Sequence, residues 1–255
     1  MHPERAQADP GESTRRSALA LHPERAGANW VGFSTIVVKE IRRVLRIWVQ
    51  TLVPPAINGT LYFLIFGLAV GSRIGKMHGF NYMVYLAPGV IMMQIMLNSY
   101  TNVVSSFFGA KFSRYVEELI VSPMPNSLIL LGYMIGGMFR GLLVGGVITL
   151  IAWLIKGIPA AHPWVIITAA LLTSALFTVG GFLNALFATK FDDVTIIPTF
   201  VLTPLVYLGG VFYSISILPT PLQYVTRVDP LLYMIDTLRY GFLGVSDIPL
   251  VEAYA

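Results

Sequence analysis

Cysteine is absent from the 255-residue sequence, and charged residues make up only 12% of it. Without cysteine, the chain can form no disulfide framework, thiolate metal site or cysteine nucleophile. The low charge excludes an ordinary soluble domain, in which about a quarter of the residues are charged. The four histidines lie far apart in the sequence, which argues against a histidine-based metal site. These absences exclude disulfide-rich secreted domains and many soluble enzymes.

Apolar residues are in excess and make up 55% of the sequence. A helix needs roughly 20 apolar residues to cross the hydrocarbon core of a bilayer. Five apolar segments approach or exceed this length, at residues 52–71, 85–108, 127–155, 164–187 and 194–212. The sequence therefore predicts an all-α polytopic membrane bundle with five spanning helices.

The N-terminal segment differs from the rest of the chain, because eight of the 17 lysines and arginines precede residue 51. The polar residues 1–28 predict a disordered tail ahead of a membrane domain formed by residues 29–255. Between residues 29 and 50, apolar side chains recur every three or four positions from Trp30 to Trp48. Lys39 and three arginines lie off this stripe. This pattern predicts an amphipathic helix that lies in the membrane interface.

The distribution of basic residues also predicts the orientation of the chain. With the N-terminus in the cytoplasm, eleven lysines and arginines lie on the inner side and five on the outer side, as the positive-inside rule requires. This orientation places the polar connector, residues 111–126, in the cytoplasm and residues 213–244 outside. The outer segment is too polar and proline-rich to span, yet too apolar for a free loop. It therefore predicts a pair of short re-entrant or interfacial helices.

Three polar residues within the predicted spans are candidates for a translocation path. Arg140 lies near the middle of the third span, where a charge is costly. It either lines a cavity that contacts anionic substrate or pairs with an acid, for which Asp229 and Asp236 are the conceivable partners. Asn98 and Asn102 belong to a polar stripe on the second span that needs protein partners or a wet cavity. The small-residue steps between residues 132 and 145 predict close helix packing.

Catalytic motifs are missing from the sequence. It contains no phosphate-binding Gly-x-x-x-x-Gly-Lys-[Ser/Thr] loop, no Gly-x-Ser-x-Gly elbow and no His-Glu-x-x-His motif. We therefore expect no enzyme activity and no cofactor on this chain. Its basic residues fit membrane lipid better than nucleic acid, because they border an apolar bulk. The alternative function is an ATP-independent secondary carrier or channel, which would be expected to carry ionisable residues in several spans.

An ordered set of segments resembles the ABC-2 family of ABC-transporter permeases over residues 33–250. After the amphipathic N-terminal helix, these segments are Glu-Glu-Leu-Ile-Val-Ser-Pro at 117–123, Phe-Asp-Asp at 191–193, Pro-Thr-Phe-Val-Leu-Thr-Pro at 198–204, Leu-Gly-Gly-Val-Phe-Tyr at 208–213, Asp-Pro-Leu-Leu-Tyr-Met-Ile-Asp at 229–236 and Arg-Tyr-Gly-Phe-Leu-Gly at 239–244. Each segment alone is weak evidence, but their order is specific.

The resemblance implies a permease subunit of an ATP-driven exporter in the bacterial inner membrane. It implies a second copy of the permease, or a paralogue, and separate ATPase subunits that carry ATP and magnesium. It assigns residues 117–123 to a cytosolic coupling helix that docks in the ATPase, with Glu117, Glu118, Leu119 and Pro123 as the docking residues. The family has six spans, and the sixth would begin near Ala255, where this sequence ends, so either the sequence is truncated or the protein lacks this helix.

Overall fold

The computed structural model describes residues 23–122 and 124–248, and helices form most of this part of the chain. Its α-helices are, in chain order, α1 (Pro23–Arg46), α2 (Trp48–Tyr62), α3 (Gly71–Ile74), α4 (Tyr82–Phe112), α5 (Tyr115–Val121), α6 (Asn126–Lys156), α7 (Pro163–Phe187), α8 (Asp193–Ile196), α9 (Thr203–Leu208), α10 (Thr220–Val228) and α11 (Pro230–Leu243).

Shorter elements join these helices. A π-helical stretch, Phe63–Val70, connects α2 to α3, and a second one, Ile197–Leu202, connects α8 to α9. Two antiparallel strands, β1 (Lys76–Met77) and β2 (Phe80–Asn81), form a hairpin ahead of α4. We call the end of the bundle that carries α5 the connector end, and the end that carries residues 76–81 the hairpin end.

Helix α4 is the centre of the bundle, and it is buried along nearly its whole length. It packs between α6 and α7. Glycine permits this close contact: a Cβ at Gly141 of α6 would lie 2.9 Å from the Ile95 carbonyl oxygen of α4. A Cβ at Gly181 of α7 would lie 2.6 Å from the Tyr100 carbonyl oxygen. The prediction that the glycines between residues 132 and 145 serve helix packing is confirmed.

Four helical stretches in the described residues are long and apolar enough to cross a bilayer: Trp48–Gly67, Tyr82–Phe112, Asn126–Lys156 and Pro163–Phe187. They correspond to the first four predicted spans and confirm the all-α membrane bundle.

The fifth predicted span, residues 194–212, is shorter than the sequence suggested. Its apolar helix covers Asp193–Leu208 and consists of pieces of 4, 6 and 6 residues. The chain leaves the helix at Gly209 and turns at Gly210, whose φ of +76° lies in the left-handed region that glycine tolerates. The helix therefore stops before it reaches the length that a full crossing requires.

Helix α1 begins at Pro23, earlier than the predicted start at residue 29. Residues 1–22 of the predicted N-terminal tail lie outside the described residues. Trp30 and Trp48, at the two ends of the predicted interfacial stripe, are largely exposed. The face that α1 buries against α6 contains Ile36, Glu40 and Val44.

Residues 213–244 form short helices at the hairpin end, as predicted. Helix α11 lies against α4 and α7 and buries most of its apolar side chains. The Ala161 amide donates to the Phe242 carbonyl over 3.1 Å, and the His162 amide donates to the Gly241 carbonyl over 2.8 Å. These backbone bonds tie the end of α11 to the loop before α7.

Candidate functional site

Helix α5 projects two acids at the connector end. It follows α4 after a sharp turn at Arg114, whose φ of +60° ends the preceding helix. Glu117 and Glu118 are exposed, and neither side chain makes a hydrogen bond or ion pair within the part of the chain that the structure describes. Ile120 is 62% exposed and Val121 is 86% exposed. The surface of α5 therefore combines free carboxylates with apolar side chains that this chain leaves uncovered.

Leu119 lies on the opposite side of α5 from this exposed surface. It is half-buried and packs against the apolar cluster that contains Phe107, Ile129 and Tyr133. It thus joins α5 to the bundle, whereas Glu117 and Glu118 face outward. The family resemblance predicts Glu117, Glu118, Leu119 and Pro123 as the docking residues. Of these, Pro123 lies outside the described residues.

Polar bonds and aromatic contacts hold the connector end together. Lys111 Nζ donates to the carbonyls of Leu186 and Ala188 over 2.7 and 2.8 Å, where a cation complements the C-terminal end of α7. The Phe191 ring contacts the ring of Phe112, with centroids 4.9 Å apart. These contacts fix the end of α4 against the loop between α7 and α8.

Asp193 organises the same loop. Its Oδ2 accepts hydrogen bonds from the Thr189 amide at 2.8 Å, the Thr189 hydroxyl at 2.9 Å and the Lys190 amide at 2.9 Å. The backbone bonds, first of all that from Thr189, lower the pKa of this carboxyl below its ordinary value. The Asp193 side chain therefore caps the loop, and it is not free for a partner.

A buried acid that the sequence reasoning did not identify lies where α1 crosses α6. Glu40 has 0% of its surface exposed. Its carboxylate is 3.2 Å from Lys39 Nζ and 3.1 Å from Arg43 Nη2, and the Ser106 hydroxyl donates to it over 2.7 Å. A Cβ at Gly136 would lie 2.5 Å from the Glu40 Cβ, so only glycine leaves room for this side chain.

Two features of the sequence could have identified Glu40. It is the only acidic residue between Glu24 and Glu117, in a stretch that is otherwise basic and apolar. It also lies midway between Ile36 and Val44 at helical spacing, which places it on one face with two apolar residues. An isolated acid on an apolar helix face requires a buried partner.

Of the three predicted path residues, Asn102 is linked to this cluster. Arg43 Nη2 donates to Asn102 Oδ1 over 2.9 Å, and Asn102 Nδ2 is buried without a partner among the described residues. Asn98 bonds within its own helix, because its Nδ2 donates to the Gln94 carbonyl over 2.9 Å. Both asparagines are buried, so neither lines an open channel in this conformation.

Arg140 has no acidic partner in residues 23–122 and 124–248. Its Nε is buried without a hydrogen-bond partner among these residues. Neither predicted partner bonds to Arg140. Asp236 pairs with Arg239, and Asp229 Oδ1 accepts from the Leu231 amide at the start of α11, while Asp229 Oδ2 is buried without a partner among the described residues. The paired-arginine interpretation is therefore wrong for Asp229 and Asp236.

A second buried ionic cluster lies at the hairpin end and was also missed from the sequence. Arg239 is 1% exposed, and its Nη1 is 3.3 Å from Asp236 Oδ1. Asp236 Oδ2 accepts from the Ser246 hydroxyl and from the amides of Asp247 and Ile248 at 2.6, 2.9 and 3.0 Å. Asp247 Oδ1 in turn lies 3.1 Å from His78 Nε2 on the β-hairpin.

Comparison with known proteins agrees with this architecture. The profile of the ABC-2 type transporter family matches residues 31–243. The chain is 54% identical over 226 residues to the inner membrane transport permease YadH of Escherichia coli (strain K12), and the match covers 88% of each chain. It is 25% identical over 189 residues to nodulation protein J of Rhizobium meliloti (strain 1021), a match that covers 72% of this chain and 71% of the relative.

A similar relative is nodulation protein J of Neorhizobium galegae, which is 26% identical over 221 residues and matches over 82% of each chain. The family profile spans most of the described bundle, from α1 to the end of α11. The chain therefore belongs to the ABC-2 type transporter family and is a multi-pass permease of the inner membrane.

Proposed function

We propose that this chain is the membrane-spanning subunit of an exporter driven by ATP hydrolysis on a separate ATPase. ATP and magnesium bind to that ATPase and not to this chain. Helix α5 receives the movement of the ATPase and passes it to the bundle. A permease built this way does no chemistry itself, and its part in transport is to change the packing of its helices.

The observation that carries this proposal is the two-sided character of α5. Its outer side presents Glu117 and Glu118, which have no partners among the described residues, next to the exposed Ile120 and Val121. Its inner side is anchored by Leu119 in an apolar cluster with α4 and α6 residues. A helix that transmits movement between two subunits needs an exposed side that binds the partner and a second side that packs tightly against its own bundle.

The partner site for α5 is basic at its centre, because two adjacent carboxylates favour lysine or arginine across an interface. This site lies on the cytoplasmic side of the membrane, together with the N-terminus and the loop that contains Lys190. The positive-inside distribution of lysine and arginine supports this orientation. Residues 76–81 and helices α10 and α11 then face the outside.

The working unit contains two permease chains, either two copies or this chain and a paralogue. Of the most apolar stretch of Trp48–Gly67, only 17% is buried inside the bundle, whereas 89% of the corresponding stretch of Tyr82–Phe112 is buried. The outer face of α2 is therefore covered by lipid or by the second permease. The substrate path runs near Arg140, Asn98 and Asn102, and the burial of the two asparagines corresponds to a closed state.

Charge reversal on α5 tests the docking directly. The double variant Glu117→Lys and Glu118→Lys keeps the bundle intact but opposes like charges to a basic partner site, which costs several kcal/mol. The affinity-tagged chain is purified in mild detergent from its native host. We expect wild type to retain a protein with a phosphate-binding loop and vanadate-sensitive ATP hydrolysis, and the variant to lose both.

Asp192→Lys is the matched control, because Asp192 is an exposed acid at the same end but lies outside α5. It should retain the ATPase at the wild-type level. Equal ATPase retention by wild type and the α5 double variant would contradict the proposal. Full transport by a chain purified without any ATPase would instead favour the ATP-independent carrier or channel.

A further inference from the structure

A large cleft opens between α1 and the connector-end half of α4. Its volume is about 1010 Å³, at the upper end of the roughly 300–1,000 Å³ typical of small-molecule sites. One wall is α1 from Ser34 to Ile47, and the other contains Ser105, Ser106 and Gly109 of α4. Tyr115 of α5 closes one side. The cleft is therefore built by the family's N-terminal helix and is separate from the docking side of α5.

Positive charge dominates this cleft. Lys39, Arg42, Arg43 and Arg46 line it, and among the described residues Glu40 is the only acid in its lining. The Glu40 carboxylate is already engaged by Lys39, Arg43 and the Ser106 hydroxyl. The cleft thus holds an excess of three positive charges over negative ones.

Two of these cations are free to bind a ligand. Arg42 and Arg46 are exposed, and neither side chain makes a hydrogen bond or ion pair to any described residue. They lie four positions apart on α1, so they project from one side of the helix. Two guanidinium groups at this spacing match the oxygens of a phosphate group, which arginine binds through paired hydrogen bonds.

Apolar surface adjoins the two arginines. Val38 and Ile47 line the cleft itself, and Leu45 of α1 and Trp48 at the start of α2 are exposed. Tryptophan at this position is typical of side chains that lie at the level of lipid headgroups. A ligand that fills the cleft would therefore contact both basic and aliphatic groups.

We propose that this cleft binds the phosphate of an anionic glycerophospholipid, with Arg42 and Arg46 as the primary contacts. A phospholipid meets both chemistries, because its phosphate pairs with the arginines and its acyl chains cover Val38, Leu45 and Trp48. A free phosphate ion would use only the charged part of the cleft. The bound lipid neutralises the excess charge and holds α1 against α4, and this role does not depend on the ATPase proposal.

The test compares Arg42→Gln combined with Arg46→Gln against Arg73→Gln combined with Lys76→Gln. Arg73 and Lys76 are exposed cations near the hairpin end, so the control removes equal charge elsewhere. Binding of phosphatidylglycerol to the full chain in detergent is followed by native mass spectrometry and by the shift in thermal midpoint. Each basic residue near an anionic lipid surface contributes roughly a factor of five, so we expect about 30-fold weaker binding in the cleft variant at low salt. The control should bind like wild type.

Inorganic phosphate and zwitterionic phosphatidylcholine complete the experiment. The proposal expects neither to reproduce the stabilisation by phosphatidylglycerol. Equal stabilisation by inorganic phosphate, abolished in the cleft variant, would overturn the lipid assignment. Equal phosphatidylglycerol binding by the cleft variant and wild type would overturn the site itself. If the cleft variant lost the ATPase and kept lipid binding, the cleft would be part of the docking surface, and the lipid proposal would fail while the transporter proposal stood.

Discussion

The bundle contains two buried ionic clusters, and they are completed in different ways. At the hairpin end, each carboxylate oxygen of Asp236 and Asp247 has a hydrogen-bond or ion-pair partner within the chain. At the connector end, Glu40 forms ion pairs with Lys39 and Arg43, while Arg42 and Arg46 are unpaired among the described residues. The first cluster is closed and rich in acid, and the second is open and rich in base.

This difference between the two clusters indicates different roles for their buried charges, one in stability and the other in ligand binding. A cluster in which every carboxylate oxygen is paired offers a ligand no free acceptor, and so its contribution is to fix one arrangement of the chain. The hairpin-end cluster joins α11, the loop around Asp247 and the β-hairpin, which are distant in sequence. An open cluster keeps donors available, and at the connector end these donors face a cleft. We therefore expect mutations in the first cluster to affect stability most and mutations in the second to affect binding.

The largest effect is expected from Asp236→Asn. This change leaves the buried Arg239 without its nearest anion and disturbs the amides that bond to Asp236 Oδ2. Removing one partner of a buried ion pair costs about 3–5 kcal/mol. Thermal unfolding of the purified chain in detergent should show a large drop in the midpoint. Asp192→Asn, at an exposed acid, should leave it unchanged. Equal midpoints for the two variants would contradict the structural role of this cluster.

A smaller effect is expected from the equivalent change Glu40→Gln. The loss of charge-assisted hydrogen bonds costs about 1.5–3 kcal/mol. The cost stays below that of Asp236→Asn because the Lys39 and Arg43 side chains are 40% and 31% exposed and can be solvated in the cleft. Both variants should be measured in the same detergent, with the exposed Glu118→Gln as the control. A larger loss from Glu40→Gln than from Asp236→Asn would reverse the comparison.

The smallest effect on stability is expected from Arg140→Leu. No acid pairs with Arg140 among the described residues, so the change strands no charge and removes a guanidinium group whose Nε is buried without a partner there. Replacing a buried ion by an apolar side chain is often neutral or stabilising. We expect the free energy of unfolding to change by less than about 1 kcal/mol, measured by the same thermal assay. A loss of about 3–5 kcal/mol would reveal an acid supplied from outside the described residues.

Sequence patterns predicted the features that depend on neighbouring residues. The first four spans follow from hydropathy, and the packing role of Gly132 to Gly145 follows from helical spacing, because both signals are local. Helix α5, at Tyr115–Val121, lies where the family resemblance places a coupling helix, at residues 117–123. The family resemblance, which rests on ordered segments, identified its coupling role as a hypothesis.

The sequence could have identified Glu40 as a buried acid, but the distant partners in the two ionic clusters could not be predicted because they are far apart in sequence. Glu40 meets Ser106, and His78 meets Asp247, only after the helices have packed. The face that α1 buries could not be predicted for a related reason, since packing against Gly132 and Gly136 selects a face that contains a charged residue. The length of the fifth span was overestimated because hydropathy continues past Gly209, where the backbone turns.

The glycines of α6 restrict which insertions and deletions this helix tolerates. Gly132 and Gly136 allow α1 to pack closely, while Gly137, Gly141 and Gly145 allow α4 to do so. One residue inserted into the first turn of α6 would rotate all that follows by about 100°. Both sets of glycines would then leave their partners in a single step. Insertions and deletions in α6 should therefore be eliminated by selection, whereas substitutions on its lipid-facing side, such as at Leu150 and Trp153, should accumulate freely as long as they stay apolar.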